Sequence, residues 1–192
     1  MTIREVAVDA YREGLPALGA SVVGGLLAGV VLGGMRSEFA AVPGLLVLVP
    51  ALLATRGNVY GSLGARLATA LHQGLVAPRV RTDDDRLQRA VAAAVASGLL
   101  ASAFAAVAAV LVLTALGQQV APVTTLVAIA LLAGLMSGVA LSATVVLVVF
   151  AGYRRGYNPD TLVGPIVTTA GDVFGVTFLL FAVRAVLWVG GA

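Results

Sequence analysis

A transmembrane α-helix crosses about 30 Å of hydrocarbon with roughly 20 apolar residues. Apolar residues in this chain run in five blocks of that scale, at about residues 15–35, 39–75, 90–116, 124–151 and 162–189. The second block carries a polar interruption at residues 56–58. No block alternates over about 10 residues as a membrane β-strand would. Ahead of the first block, Ile3, Val6, Ala7, Ala10 and Tyr11 recur at helical spacing among charged residues. This predicts a short amphipathic helix over residues 1–14, lying on the membrane surface. The acidic flank and the length of the first block separate it from a cleaved signal peptide. The pattern therefore predicts an all-α integral membrane protein. Its five transmembrane helices and N-terminal amphipathic helix form one transmembrane domain over residues 1–192.

Composition agrees with this pattern. The chain is 60% hydrophobic and 11% charged, with a mean hydropathy of +1.04. Soluble domains are about 45–50% apolar and about 25% charged. Nucleic-acid binding is therefore not expected, and the net charge of +3 reads as topology. The basic residues are all Arg: Arg4 and Arg12, then Arg79, Arg81, Arg86 and Arg89, then Arg154 and Arg155 fall in three segments. With five spans these segments share one side, which predicts a cytoplasmic N-terminus in a multi-pass plasma-membrane protein. Cysteine is absent and His72 is the one histidine, so thiolate and His-pair metal sites are excluded. His72 reads as interfacial, and Asp83, Asp84 and Asp85 read as a solvated loop. Small residues recur every four positions at Ser21, Gly25, Gly29 and Gly33, at Ala94, Gly98 and Ser102, and at Gly134, Gly138 and Ser142. Such stripes predict closely packed helices.

Charged groups at membrane depth cost about 2.5–3.5 kcal/mol on insertion scales and need a reason. Asp172 is the one acid well inside a block. Thr168 and Thr169 precede it by one helical turn, on the same side. Pro165 lacks a backbone donor and frees a carbonyl one turn earlier. Carboxylate, hydroxyl and carbonyl oxygens are hard ligands suited to Mg²⁺, Ca²⁺ or Mn²⁺. The bland alternative is a protonated Asp172, or one paired with Arg56 or Arg66. The second block holds Arg56, Asn58, Ser62 and Arg66, with Gly57, Gly61 and Gly64 between them. These glycines predict a bent or unwound segment of the kind that forms ion sites in transporters. The alternative ends the span at Ala54. Arg184, near the end of the last block, is expected to snorkel to the surface.

These two regions resemble the transmembrane domain of MgtE-type magnesium transporters, and especially the solute carrier 41 branch. One match is Gly57-Asn58 followed by Ala65-Arg66-Leu67-Ala68-Thr69-Ala70 and Gly74. The other is Asn158-Pro159-Asp160, Pro165 and Thr168-Thr169-Ala170-Gly171-Asp172. The resemblance implies a dimer of five-helix halves with a Mg²⁺ pathway along the subunit interface. It implies that Asp172 is the principal ion-binding acid and that Gly57 and Asn58 line the pathway. Solute carrier 41 members often carry an acid just after the Gly-Asn pair. Val59-Tyr60-Gly61 stands there in this chain, which lowers the pathway charge. The regulatory domains of bacterial MgtE have no counterpart in these residues, so gating by them would need a separate cytoplasmic subunit.

The resulting expectation is a divalent cation transporter or channel with Mg²⁺ as the transported ion and no cofactor. Asp172, Thr168, Thr169 and Asn58 hold the ion, while Arg56, Gly57, Gly61, Pro165 and Gly171 line its path. A homodimer, or a heterodimer with a related half, is expected among membrane lipids. The competing readings are a structural, partner-dependent membrane subunit and a proton-coupled transporter of a small solute. Enzyme chemistry is not expected. An aspartyl protease needs a second carboxylate in the site, and Thr169 stands where its signature needs glycine.

Overall fold

The computed structural model describes residues 3–79, 84–156 and 159–190, with side chains from Leu18 and Val163 onward in the first and last helices, besides Tyr11 and Leu15. The elements are α1 (Ile3–Gly34), α2 (Arg36–Ala41), α3 (Leu45–His72), α4 (Asp85–Ala115), α5 (Val123–Arg154) and α6 (Pro159–Gly190). Among the described residues, four helices are long and apolar enough to span a membrane: Leu45–His72, Asp85–Ala115, Val123–Arg154 and Val163–Gly190. Leu18–Gly34 is a shorter apolar helix.

Two expectations change. The predicted surface helix does not stand apart, because α1 runs unbroken through Gly14 and Pro16. Proline removes one donor, a cost that water can meet near a membrane surface. The side chains of Ile3, Val6, Ala7 and Ala10 lie outside the described residues. The second block also divides differently. Its break falls at residues 42–44, between α2 and α3, and α3 is continuous through Arg56, Gly57, Gly61 and Gly64. Backbone groups in a bilayer have no water to bond, so a helix holds together through glycine unless something replaces its hydrogen bonds. Gly44 makes the real break, with φ +92° and an added Cβ only 2.9 Å from Leu113 Cδ1. Both the left-handed backbone and the crowding require glycine there. The turn is tied down by the Ala121 N–H, which donates to the Pro43 carbonyl at 2.9 Å.

Helices α3, α4, α5 and α6 form a bundle in which each packs on its neighbours and α3 also meets α5; α1 packs on the outside of α6. Asp84 starts α4 by accepting from the Arg86 and Leu87 N–H groups at 3.0 and 3.1 Å. Asp85 pairs with Arg89 on an exposed face. The acidic loop is thus partly a helix cap; Asp83 lies outside the described residues. His72 stacks edge-on with Tyr153, at the ends of α3 and α5.

The apolar interior is split into two clusters. One contains Leu52, Ala105, Ala133 and Val176; the other contains Tyr60, Ala94, Leu141 and Val167. On each bundle helix the buried positions between these residues are polar or small: Arg56 on α3, Ser102 on α4, Gly134, Ser137 and Gly138 on α5, and Gly171 and Gly175 on α6, with half-buried Gly98 and Asp172 beside them. The bundle therefore has a waist of small and polar groups between two apolar halves.

Candidate ion site

The waist exists because glycine lets bulky neighbours in. The Tyr60 hydroxyl fills a slot between Gly98 and Gly138, and Gly134 admits Ser102. The Arg56 guanidinium lies against Gly175, where an added Cβ would sit 2.6 Å from Nη1 and 2.7 Å from Leu53 Cδ2. About two turns further along α3, Gly64 receives Val163 of α6.

These contacts orient α6. Val163 and Gly175 face α3, while Thr169 faces α1, packed on Gly24 with its Oγ1 3.1 Å from Ser21 Oγ. Asp172 comes three residues after Thr169 and three before Gly175, so helical geometry puts it between these two faces. It lies about 14 Å along the described span, half-buried, with no hydrogen bond or ion pair among the described residues. Gly164, Thr168 and Asp172 recur every four residues and form a strip that opens outward, since Gly164 and Thr168 are exposed. The Thr168 and Thr169 hydroxyls donate to the Gly164 and Pro165 carbonyls at 2.9 and 2.8 Å. Their lone pairs remain available, but Thr169 looks towards α1 rather than along the open strip.

On α3 the predicted residues separate. Asn58 is exposed and Arg56, two residues away, is 4% exposed. Asn58 belongs to an outward stripe with Ala54, Ser62, Ala65, Arg66, Thr69 and Gln73, all exposed. Gly57 and Gly61 are half-exposed, with nothing near an added Cβ. A crevice of about 280 Å³ between α3 and α4 is lined by Asn58, Ser62, Arg66 and Ser97. A larger groove of about 750 Å³ between α4 and α5 is nearly all apolar and lies away from Asp172. Among the described residues no three His, Cys, Asp or Glu side chains cluster. The arrangement suits a hydrated ion held through its water, not a dehydrated ion in a protein cage.

Asp172 does not pair with Arg56. All three guanidinium nitrogens are buried without a hydrogen-bond partner, as is the Tyr60 hydroxyl. In this arrangement of the chain Arg56 and Asp172 are therefore unpaired. Arg184 does more than snorkel. Its Nε donates to Glu38 Oε1 at 2.8 Å and fastens α2 to α6. Arg184, then Ser37, holds the Glu38 carboxyl below its ordinary value of 4.5. The signal was in the sequence: both residues stand at block ends that alternating spans bring to one side. The side chains of Asn158, Pro159 and Asp160 lie outside the described residues.

Comparison with known proteins adds the family. The profile of the MgtE family, described as a divalent cation transporter, matches residues 49–182. Solute carrier family 41 member 3 of Rattus norvegicus is 28% identical over 185 residues, covering 93% of this chain. The chain spans 37% of that relative's length. No solved structure matches. The matched region contains Arg56, Asn58 and Asp172 and takes in most of α3 to α6. The chain belongs to the MgtE family of divalent cation transporters.

Proposed function

We propose that the chain carries Mg²⁺ across the plasma membrane, its N-terminus cytoplasmic, along a path between two copies, with Asp172 as the ion-binding carboxylate. The observation that carries this reading is a half-buried carboxylate without a partner among the described residues, well inside the span on a strip open to the outside of the bundle. A charge in that position needs water, an ion or a second protein surface. The outward stripe of α3 needs the same, because Asn58, Ser62 and Thr69 are poorly matched to lipid. A second copy covering both surfaces supplies the missing wall and a second Asp172.

Two carboxylates facing one another favour a divalent ion. It neutralises both, whereas a monovalent ion leaves one charge uncompensated. Mg²⁺ sheds water reluctantly, so Asn58, Thr168 and backbone carbonyls touch its hydration shell. Gly57 and Gly61 keep the backbone accessible, Gly171 beside Asp172 adds no side chain to the path, and Pro165 leaves a carbonyl free at the strip's end. A heterodimer with a related half meets the same requirements. The short coverage of the rat relative favours keeping that version in view.

Purified chain in proteoliposomes tests the proposal. Wild type should take up Mg²⁺, while Asp172→Asn should lose uptake and keep its fold. Normal uptake by Asp172→Asn would remove the site. Absence of uptake by folded wild type would point to a related partner half or to a structural subunit.

A further inference from the structure

The waist holds a second costly group, and the proposed function does not use it. Arg56 is 4% exposed at mid-span, and its nitrogens have no hydrogen-bond partner. A buried cation in this state is costly, because nothing in its surroundings replaces the water it has lost. In this structure Nη1 lies against Gly175. Gly175 is one helical turn past Asp172, and positions three apart on a helix have side chains about 5–6 Å from one another. Both groups sit in the polar layer between the two apolar clusters. Among the described residues the other carboxylates are engaged elsewhere. Glu38 is paired with Arg184, Asp85 with Arg89, and Asp84 caps α4. Arg66 lies about 15 Å further along α3. Among the described residues, Asp172 is the carboxylate within reach.

We infer that Arg56 is a resident counter-cation for Asp172: its guanidinium swings from the Gly175 surface onto the carboxylate when no ion is bound, and a metal ion must displace it. The inference rests on the reading of Asp172 as the ion-binding carboxylate. It adds a specificity determinant to that site. A tethered guanidinium is always present at high local concentration. A monovalent ion has the same charge and gains no Coulomb advantage over it, so Na⁺ and K⁺ fail to displace it. A divalent ion gains about twice the attraction at the same distance and succeeds. Selectivity then needs no snug cage, in keeping with the few ligands present. Gly175 supplies the parking place for the displaced side chain, a space that any larger residue would close.

The experiment compares Na⁺ and Mg²⁺ flux in proteoliposomes of wild type, Arg56→Gln, Arg56→Lys and Asp172→Asn. Wild type should pass no Na⁺ even with divalent ions chelated. Arg56→Gln should admit Na⁺. If the guanidinium holds Asp172 about nine-tenths of the time, its removal should lower half-saturating Mg²⁺ about tenfold. Arg56→Lys keeps the charge and should keep Na⁺ out. A folded Arg56→Gln chain with wild-type Mg²⁺ dependence and no Na⁺ flux overturns the inference. Should that variant fail to fold, the wild-type measurement decides, because Na⁺ flux on chelation overturns it equally. Asp172→Asn separates the two levels. Normal Mg²⁺ uptake there defeats the site itself, whereas loss of uptake beside an unchanged Arg56→Gln defeats only the role of Arg56.

Discussion

Single residues in the waist carry opposite costs. The Tyr60 hydroxyl is buried without a partner between Gly98 and Gly138. Deleting an unsatisfied polar atom recovers its desolvation, so Tyr60→Phe should be neutral or stabilising by up to about 1 kcal/mol. Gly138→Ala pushes a methyl group into the same hydroxyl and should cost about 1–3 kcal/mol. Thermal unfolding in detergent micelles distinguishes the two, and a large loss with Tyr60→Phe would mean that the hydroxyl has a partner. The cost of Asp172 was legible in the sequence, because one carboxylate in an apolar block stands out by itself. The solitude of Arg56 was not. Pairing is a matter of distance between helices, and a sequence lists charges without separations.

At the scale of elements, the glycines of α3 do different work from one another. Gly64 receives Val163, whereas Gly57 and Gly61 face open space. Gly64→Ala should therefore separate α3 from α6 at a cost of about 1–3 kcal/mol. Gly57→Ala should instead stiffen a continuous helix and stabilise it by about 0.5–1 kcal/mol, while disturbing Mg²⁺ flux if that surface lines the path. Unfolding and uptake measured on the same preparations check both. The α1 stripe shows why spacing alone misleads. Gly25, Gly29 and Gly33 are exposed with nothing beside them, and it is Gly24 and Ala28 that bury against the bundle. The α4 and α5 stripes do pack as their spacing predicts, around Tyr60 and Ser102.

The whole molecule adds constraints between distant segments. The Glu38–Arg184 pair joins α2 to α6 across 146 residues. Its carboxyl titrates below 4.5 when folded. A depressed acid contributes stability that is present above the unfolded value and lost as pH falls through the folded one. Glu38→Gln should thus lower the unfolding temperature at pH 7, and the difference from wild type should shrink as the pH falls below 4.5 and through the folded carboxyl's own lowered value. A difference that persists in acid would place the effect in packing instead. Assembly is testable because the chain has no cysteine. A single Ala54→Cys or Ser62→Cys on the outward stripe of α3 should form a covalent dimer on mild oxidation. Phe104→Cys, on a 75%-exposed lipid-facing position of α4, should remain monomeric. Equal cross-linking at both would set aside the pathway between copies.

The sequence alone determined where the long helices run and which residues are too costly to lie in a bilayer without purpose. Both are local sums: length times rise must match the membrane, and one charge among apolar neighbours needs no partner to be noticed. Tertiary structure decided which way each helix faces. Lipid and protein interior are both apolar, so a membrane helix carries little moment to mark its buried side. That is why the sequence listed Arg56 and Asn58 together while the fold turns one inward and the other outward. It is also why the expected break in α3 became a continuous helix. Among its glycines Gly64 answers to a neighbouring helix, through Val163 of α6, while Gly57 and Gly61 leave the helix unbroken.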